Sequence, residues 1–102
     1  MILYNVTLNI DPIIKDEWLI WMKETHLPEV MATGKFTSFE MYKIQNHYDD
    51  DTNLNYSVQY YANTLRDYED YVTIFAPALK QKTIEKYGDK IIAFRTILER
   101  II

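Results

Sequence analysis

The sequence predicts an α+β domain in which two helices cover one face of a four-stranded antiparallel sheet. Three segments alternate between two sets of residues with a period of two, which is typical of strands with one buried face. Two further segments repeat apolar residues at the spacing of an amphipathic helix. The resulting order is β-α-β-β-α-β, and a chain of 102 residues has room for a single domain, residues 1–102.

The first part of the chain supplies one strand and one helix. Residues 2–10 alternate strictly, which predicts the first strand. The pair Asp11–Pro12 then provides an N-cap carboxylate and a proline for the first turn, and apolar residues at helical spacing predict a helix over about residues 12–26. Pro28 is expected to end this helix, because a proline disfavours α geometry in the residue before it. A short turn would follow and close at Gly34.

Two strands and a polar loop occupy the middle of the chain. Residues 36–47 are predicted to form the second strand, and the renewed alternation over residues 54–62 predicts the third. The polar composition of residues 48–53 is typical of a hairpin loop. The middle of the chain is therefore predicted to form a β-hairpin.

A second helix and a fourth strand complete the predicted domain. Asn63 or Thr64 is expected to cap the helix, and Gly88 is expected to end it. Pro77 lies within its apolar stripe and is expected to kink or break the helix. Residues 91 to about 100 form the last predicted strand. The apolar stripe of the helix consists of Leu65, Tyr68, Val72, Phe75 and Leu79.

This order of elements corresponds to the split β-α-β arrangement of the ferredoxin-like type. Right-handed crossovers place both helices on one face of the sheet and leave the other face open. A mixed polar and apolar face of this kind suits the sheet of a second copy, which would cover it and leave a lined pocket. We therefore expect a homodimer, and a monomer with a tolerated open face is the alternative. The residues expected on the open face are Leu3, Asn5, Thr7, Asn9, Ser57, Gln59, Tyr61, Ala93, Arg95 and Ile97.

Four segments carry a resemblance to known proteins: HLPEVMATG (residues 26–34), SVQYY (57–61), FAP (75–77) and AFRT (93–96). Together with the opening strand, they resemble an uncharacterised bacterial family of the dimeric α/β-barrel superfamily over essentially the whole chain. The resemblance implies the ferredoxin-like fold and a dimer. It implies no reaction, because the family is a domain of unknown function. The superfamily includes small-molecule monooxygenases, haem-degrading enzymes, isomerases and ligand-sensing modules.

Arg95 is the most informative candidate site residue. An arginine in the middle of a strand is costly unless its guanidinium is paired or faces a wet cavity. One interpretation is a clamp for a carboxylate or another anionic group of a small ligand. The other is a structural ion pair with Glu99 or with a residue of the second subunit. Asn5, Gln59 and Tyr61 are expected to supply hydrogen bonds in the same pocket as Arg95.

His26, at the end of the first predicted helix, is the candidate catalytic residue. Its ordinary pKa of about 6.5 suits proton transfer at neutral pH. The alternative is a histidine at a helix C-terminus that complements the helix dipole. His47, beside the acidic loop, is expected to be a plain surface residue.

The composition argues against cofactors and metals. There is no cysteine, which removes disulfides, cysteine-based zinc sites and thiol nucleophiles. The second predicted helix has no histidine to ligate a haem, and the chain has no glycine-rich phosphate loop. We therefore expect no cofactor and no metal. A calcium loop is suggested by the spacing of Asp49, Asp51 and Asn53 but fails at Leu54 and Tyr60, where it needs glycine and glutamate.

Charge and hydropathy limit the partners and the location. A formal net charge of −4 disfavours nucleic acid and an anionic membrane as partners. The N-terminal residues lack the pattern of a signal peptide, and no apolar run has the length of a membrane span. We therefore expect a cytoplasmic protein.

Two functional hypotheses remain. The first is a small-molecule binder, with an anionic ligand held by Arg95, or a cofactor-free enzyme of monooxygenase or isomerase type. The second is a non-catalytic sensing or interaction module without a ligand pocket. A cavity of roughly 300 Å³ or more would favour the first.

Overall fold

The protein is described by a computed structural model that covers residues 1–45 and 54–102. Four strands form one antiparallel sheet in the order β2-β3-β1-β4, which confirms the predicted α+β, ferredoxin-like fold. The second strand is shorter than predicted. The predicted hairpin loop, His47 and the calcium-like spacing of Asp49, Asp51 and Asn53 lie outside the described residues. The strands are β1 (Ile2–Ile10), β2 (Ser38–Lys43), β3 (Leu54–Ala62) and β4 (Ile91–Glu99).

Two helical stretches pack on one face of the sheet, and each consists of two α-helices joined by a π-turn. The first stretch begins with a 3₁₀ turn and the second ends with one. The first comprises Pro12–Ile14, α1 (Lys15–Trp21), the π-turn Met22–His26 and α2 (Leu27–Ala32). The second comprises α3 (Leu65–Asp70), the π-turn Tyr71–Phe75, α4 (Ala76–Tyr87) and Gly88–Lys90.

Local side-chain chemistry sets the ends of these stretches as predicted. The Asp11 carboxylate accepts a hydrogen bond of 3.0 Å from the backbone N–H of Ile13. Thr64, rather than Asn63, caps the second stretch, since its hydroxyl oxygen accepts from the Asp67 N–H at 3.1 Å. Gly88 ends α4 with a φ of 57°, a conformation that a residue with a Cβ rarely adopts.

The prediction that Pro28 ends the first helix is wrong, because the stretch continues to Ala32. A proline lacks an N–H and clashes with the carbonyl four residues earlier. The π-turn before it changes that geometry, since the Leu27 N–H donates to the Met22 carbonyl five residues back. Pro28 then lies in the first turn of α2, where its missing N–H costs little. Pro77 likewise lies in the first turn of α4, directly after the second π-turn.

The core lies between the helices and the face of the sheet that they cover, here called the inner face. Tyr4 is at its centre and contacts four other aromatic rings. The second stretch buries only part of the predicted stripe: Leu79 is buried, and Tyr68 and Phe75 pack against the core while partly buried. Leu65 and Val72 are exposed, whereas Tyr71 and Ala76 are buried, because the π-turn shifts the helical periodicity between them. The least exposed large side chains are Trp18, Ile10, Val30 and Val58.

The prediction for β4 is wrong, because the alternating side chains that face the helices are the set that we expected on the open face. The β1–β4 register pairs Val6 with Arg95 and Thr7 with Phe94. Directly opposed residues point to the same face of a sheet. Since Val6 packs against the core, Arg95 also belongs to the inner face, together with Ala93 and Ile97. The open face instead carries Ile92, Phe94 and Leu98.

Candidate functional site

A cavity of about 270 Å³ lies between the inner face of the sheet and the helical stretches. Strands β1, β3 and β4 supply one wall, and α1, both π-turns and α4 contribute to the others. The volume is close to the lower end of the range of about 300–1,000 Å³ that is typical of small-molecule sites. This cavity lies on the helix-covered side of the sheet, and the predicted pocket between the open faces of two subunits stays a prediction.

The charged lining of the cavity is basic. Within the described part of the chain, Arg95 and Lys80 line it together with His26, and no carboxylate does. Arg95 and Lys80 are exposed to solvent, whereas His26 is half-buried. The whole chain has a net charge of −4, so this basic lining is a local departure from the overall charge. An anionic group entering from solvent would be attracted to it.

Arg95 is held by a hydroxyl rather than by a carboxylate. Its Nε donates a hydrogen bond of 3.1 Å to the Tyr4 hydroxyl oxygen. Among residues 1–45 and 54–102, no acidic side chain forms an ion pair with Arg95, including Glu99, which the sequence offered as a partner. A guanidinium has five N–H donors. The donors on its two terminal nitrogens therefore stay available to a ligand within this protomer.

Tyr4 provides a rigid support for this arginine. Its side chain is 4% exposed and packs against the rings of Phe36, Tyr60, Tyr68 and Tyr71 at centroid distances of 5.2–6.1 Å. Burial raises the pKa of Tyr4, and the charge of Arg95 opposes this shift only in part. The phenol is therefore neutral at physiological pH and retains its proton.

His26 is the last residue of the first π-turn and lines the cavity. Its ring stacks on Trp21, and Trp21 in turn contacts Tyr87 edge-on at a centroid distance of 5.4 Å. Burial lowers the pKa of His26, and the charge of Glu29 opposes the shift in part. The imidazole is therefore neutral at pH 7 and can accept a proton. The interpretation as a helix C-terminal residue is wrong, because α2 continues beyond it.

The structure does not bring Asn5, Gln59 and Tyr61 into this cavity. They lie on the open face, where Ser57 Oγ donates to Asn5 Oδ1 at 2.6 Å and Gln59 Nε2 donates to Ser57 Oγ at 3.3 Å. The Tyr61 hydroxyl donates to Glu40 Oε1 at 3.1 Å. Their side of the sheet was predicted correctly, but the side of Arg95 was not. The expectation of one pocket shared by all four residues is therefore wrong.

Sequence reasoning missed Lys80 and the aromatic wall formed by Tyr4, Tyr60 and Tyr71. These positions were interpreted as parts of a strand or helix pattern, and such a pattern does not distinguish a packed core from a cavity wall. One signal was available. The inner faces of β1 and β3 carry tyrosines where aliphatic residues would fill a dry core, and a tyrosine hydroxyl needs a polar partner.

The described residues contain no group of three or more histidine, cysteine or acidic side chains arranged to hold a metal ion. Among the helices in the described ranges, none combines the length and the apolar character that a membrane crossing needs.

Comparison with known proteins identifies a family and a fold. The family model described as "Domain of unknown function (DUF4286)" matches residues 1–101. No curated protein is similar enough in sequence to count as a relative.

Three solved structures are similar in fold. An ethyl tert-butyl ether D (EthD) family protein from Bacillus halodurans has a TM-score of 0.68 at 15% identity, over 99% of this chain and 100% of that one. HapK from Hahella chejuensis has a TM-score of 0.72 at 7% identity, over 99% and 93%. A dimeric ferredoxin-like protein from an uncultured marine organism has a TM-score of 0.72 at 10% identity, over 99% and 95%. At these identities the likeness shows the fold alone.

Proposed function

Because the chain belongs to the DUF4286 family, whose description assigns no function, we propose from its own geometry that it binds a small anionic organic molecule in the inner-face cavity. The observation that carries the proposal is Arg95. Its terminal nitrogens have no acidic partner among the described residues, and the cavity beside it has no carboxylate lining in that part of the chain. A guanidinium placed in this way suits a carboxylate or a similar oxyanion, which it can bind through two parallel hydrogen bonds.

The apolar part of the cavity supports an organic ligand rather than a bare ion. Small-molecule sites are lined mainly by apolar and aromatic side chains, with a few polar groups that fix orientation. This cavity follows that pattern, with Val6, Leu8 and Val58 on the strands and Leu79 on α4. The competing hypothesis of a module without a ligand pocket predicts no such lining, although the volume of about 270 Å³ falls just short of the roughly 300 Å³ that would favour a ligand site.

His26 extends the proposal to catalysis. A neutral imidazole on the cavity wall can take a proton from a bound molecule whose negative charge is stabilised by Arg95. That chemistry needs no cofactor and is compatible with an isomerase or a cofactor-free monooxygenase. Binding is the function proposed first, and proton transfer by His26 is its catalytic extension.

The open face of the sheet supports a homodimer. Phe94 is 65% exposed, Ile92 52% and Leu98 48%, all on the same side of β4. Clustered exposed apolar residues of this kind mark interaction surfaces. A second copy would cover them with its own sheet, and one structure of similar fold is a dimeric ferredoxin-like protein. The cytoplasmic location and the lack of a nucleic-acid partner stay predictions.

Two measurements test the binding proposal. Native mass spectrometry of the purified protein would detect a retained small molecule as a mass excess that is lost on denaturation. Ligand-observed NMR would then titrate benzoate, benzenesulfonate and phenylphosphonate against the wild type, Arg95→Gln and Arg66→Gln. Arg66 is the matched control, because it is exposed on α3 and is absent from the cavity lining. We expect Arg95→Gln to weaken anion binding about tenfold or more and Arg66→Gln to leave it unchanged. Equal binding by all three proteins, or binding of no anion, would refute the proposal.

A further inference from the structure

Building on the proposed anion site, we infer that Tyr4 and Arg95 together form a carboxylate-binding pair and that the ligand is an aromatic monocarboxylate. The inference starts from the direction of one hydrogen bond. The Tyr4 oxygen accepts from Arg95 Nε at 3.1 Å, so the proton of the Tyr4 hydroxyl is not used in that bond. No described residue accepts that proton, and Tyr4 lines the cavity.

The pair presents complementary donors to a planar anion. The terminal nitrogens of Arg95 offer charged N–H groups, and the adjacent Tyr4 hydroxyl offers a neutral one. A carboxylate has two oxygens, one for each partner. The phenol is also a stronger donor than an isolated tyrosine, since a hydroxyl that accepts a hydrogen bond from a cation is polarised by it.

The surroundings favour one negative charge over two. Arg95 is held in place by its hydrogen bond to the buried Tyr4, whereas no hydrogen bond or ion pair among the described residues holds Lys80, the other cation of the lining. The cavity also contacts Ile84 and Gly88 at the C-terminal end of α4, where the helix dipole is negative. That end disfavours a dianion such as a phosphate monoester more than it disfavours a carboxylate.

The shape and lining of the cavity favour an aromatic body. The rings of Tyr4, Tyr60 and Tyr71 line it together with Trp21, and the neutral imidazole of His26 stacks on that indole. Aromatic side chains gain energy beyond area burial when another ring packs against them in offset or edge-on geometry. A volume of about 270 Å³, just below the usual range for ligand sites, suits a compact ring system.

The test is a calorimetric titration with four probes, four proteins and one control variant. The probes are benzoate, cyclohexanecarboxylate, phenylphosphonate and the neutral benzamide. The proteins are the wild type, Tyr4→Phe, Arg95→Gln and the double variant. Tyr56→Phe is the matched control, because Tyr56 is a buried tyrosine of the same sheet face that does not line the cavity.

We expect benzoate to bind the wild type most tightly and Tyr4→Phe to weaken it about five- to twentyfold, with Tyr56→Phe unchanged. The double variant should weaken benzoate binding by less than the product of the two single effects, because both residues act on the same carboxylate. If no anion binds, or Arg95→Gln binds as well as the wild type, the proposed function fails. If anion binding depends on Arg95 but phenylphosphonate or cyclohexanecarboxylate binds as tightly as benzoate, only the inferred ligand class fails. If Tyr4→Phe binds benzoate as tightly as the wild type, the proposal that Tyr4 binds the carboxylate together with Arg95 is wrong.

Discussion

The indole ring of Trp21 stacks on the imidazole of His26, with ring centroids 4.9 Å apart and planes inclined by 23°. The two residues are five positions apart, and the stretch between them is the π-turn Met22–His26. In a regular α-helix the neighbours on one face are three and four residues apart. The π-turn therefore accounts for this contact, and it also allows the helix to continue through Pro28.

The buried imidazole makes the stability of the protein pH-dependent. Burial lowers the pKa of His26 in the folded state, whereas the unfolded chain has the ordinary value of about 6.5. The unfolded state therefore binds more protons between the lowered folded pKa and about pH 6.5. The stability contributed by the neutral imidazole is complete above about pH 6.5 and is lost as the pH falls through that window.

Urea unfolding at a series of pH values from 7.5 to about 5 measures this effect. We expect the free energy of unfolding of the wild type to fall more steeply with decreasing pH than that of His26→Gln. All other titrating groups are common to the two proteins, so the difference between the two profiles isolates His26. Parallel pH profiles of the two proteins would contradict a lowered pKa of His26 in the folded state.

The hydroxyl of Tyr87 offers a second test, this time of packing. Its oxygen is buried and has no hydrogen-bond partner among the described residues, while its ring contacts Trp21 edge-on. An unpaired buried polar group costs free energy, so Tyr87→Phe should leave the free energy of unfolding unchanged or raise it by about 1 kcal/mol. Tyr87→Ala removes the ring as well and should lower it by about 3 kcal/mol or more. A loss above about 1 kcal/mol in Tyr87→Phe would show that the hydroxyl has a partner.

The sequence predicted some elements to the residue because their signals are local and redundant. β1 and β3 begin and end where the strict alternation does, at Ile2–Ile10 and Leu54–Ala62. Both strands are central in the sheet, with one side buried by helices, so burial enforces the period of two. Gly88 was predicted for a similar reason, and Thr64 was one of two predicted caps, since capping depends on one residue and its immediate neighbours.

The misplaced elements depend on contacts that are distant in sequence. β4 is an edge strand, and both of its alternating sets contain apolar residues, so its composition does not specify which set faces the helices. Only the pairing of β4 with β1, which sets Arg95 opposite Val6, specifies which set faces the helices. The π-turn before Pro28 was also missed, because the rule for prolines describes a regular α-helix. The wrong side of β4 also explains why Arg95 was expected on the open face, whereas it lines the cavity on the helix-covered face.

A substitution at Gly88 tests how strongly the backbone conformation at the end of α4 affects the free energy of unfolding. Its φ of 57° and ψ of −128° lie in a region that residues with a Cβ disfavour strongly, and an added Cβ would meet no atom within 4 Å. An alanine at position 88 therefore destabilises the protein through its unfavourable backbone conformation and not through a clash with neighbouring atoms. We expect it to lower the free energy of unfolding by about 1–3 kcal/mol. Asp89→Ala, one residue later in the same exposed turn, should change it by less than about 0.5 kcal/mol in chemical denaturation. Equal effects of the two changes would contradict this account.

The proposed dimer is tested on the open face of β4. Phe94 is 65% exposed there and contributes nothing to the buried core, so Phe94→Glu should leave the protomer folded. A charge on the covered face should weaken dimerisation about 30-fold or more, the equivalent of a 2 kcal/mol hot spot. Ile13→Glu is the control, because Ile13 is 80% exposed but belongs to the turn before α1 on the helical side. Light scattering coupled to size exclusion should show a dimer for the wild type and Ile13→Glu, and a monomer for Phe94→Glu at low micromolar concentration. A monomeric wild type would refute the dimer. A dimer that survives Phe94→Glu but is lost in Ile13→Glu would place the interface on the helices.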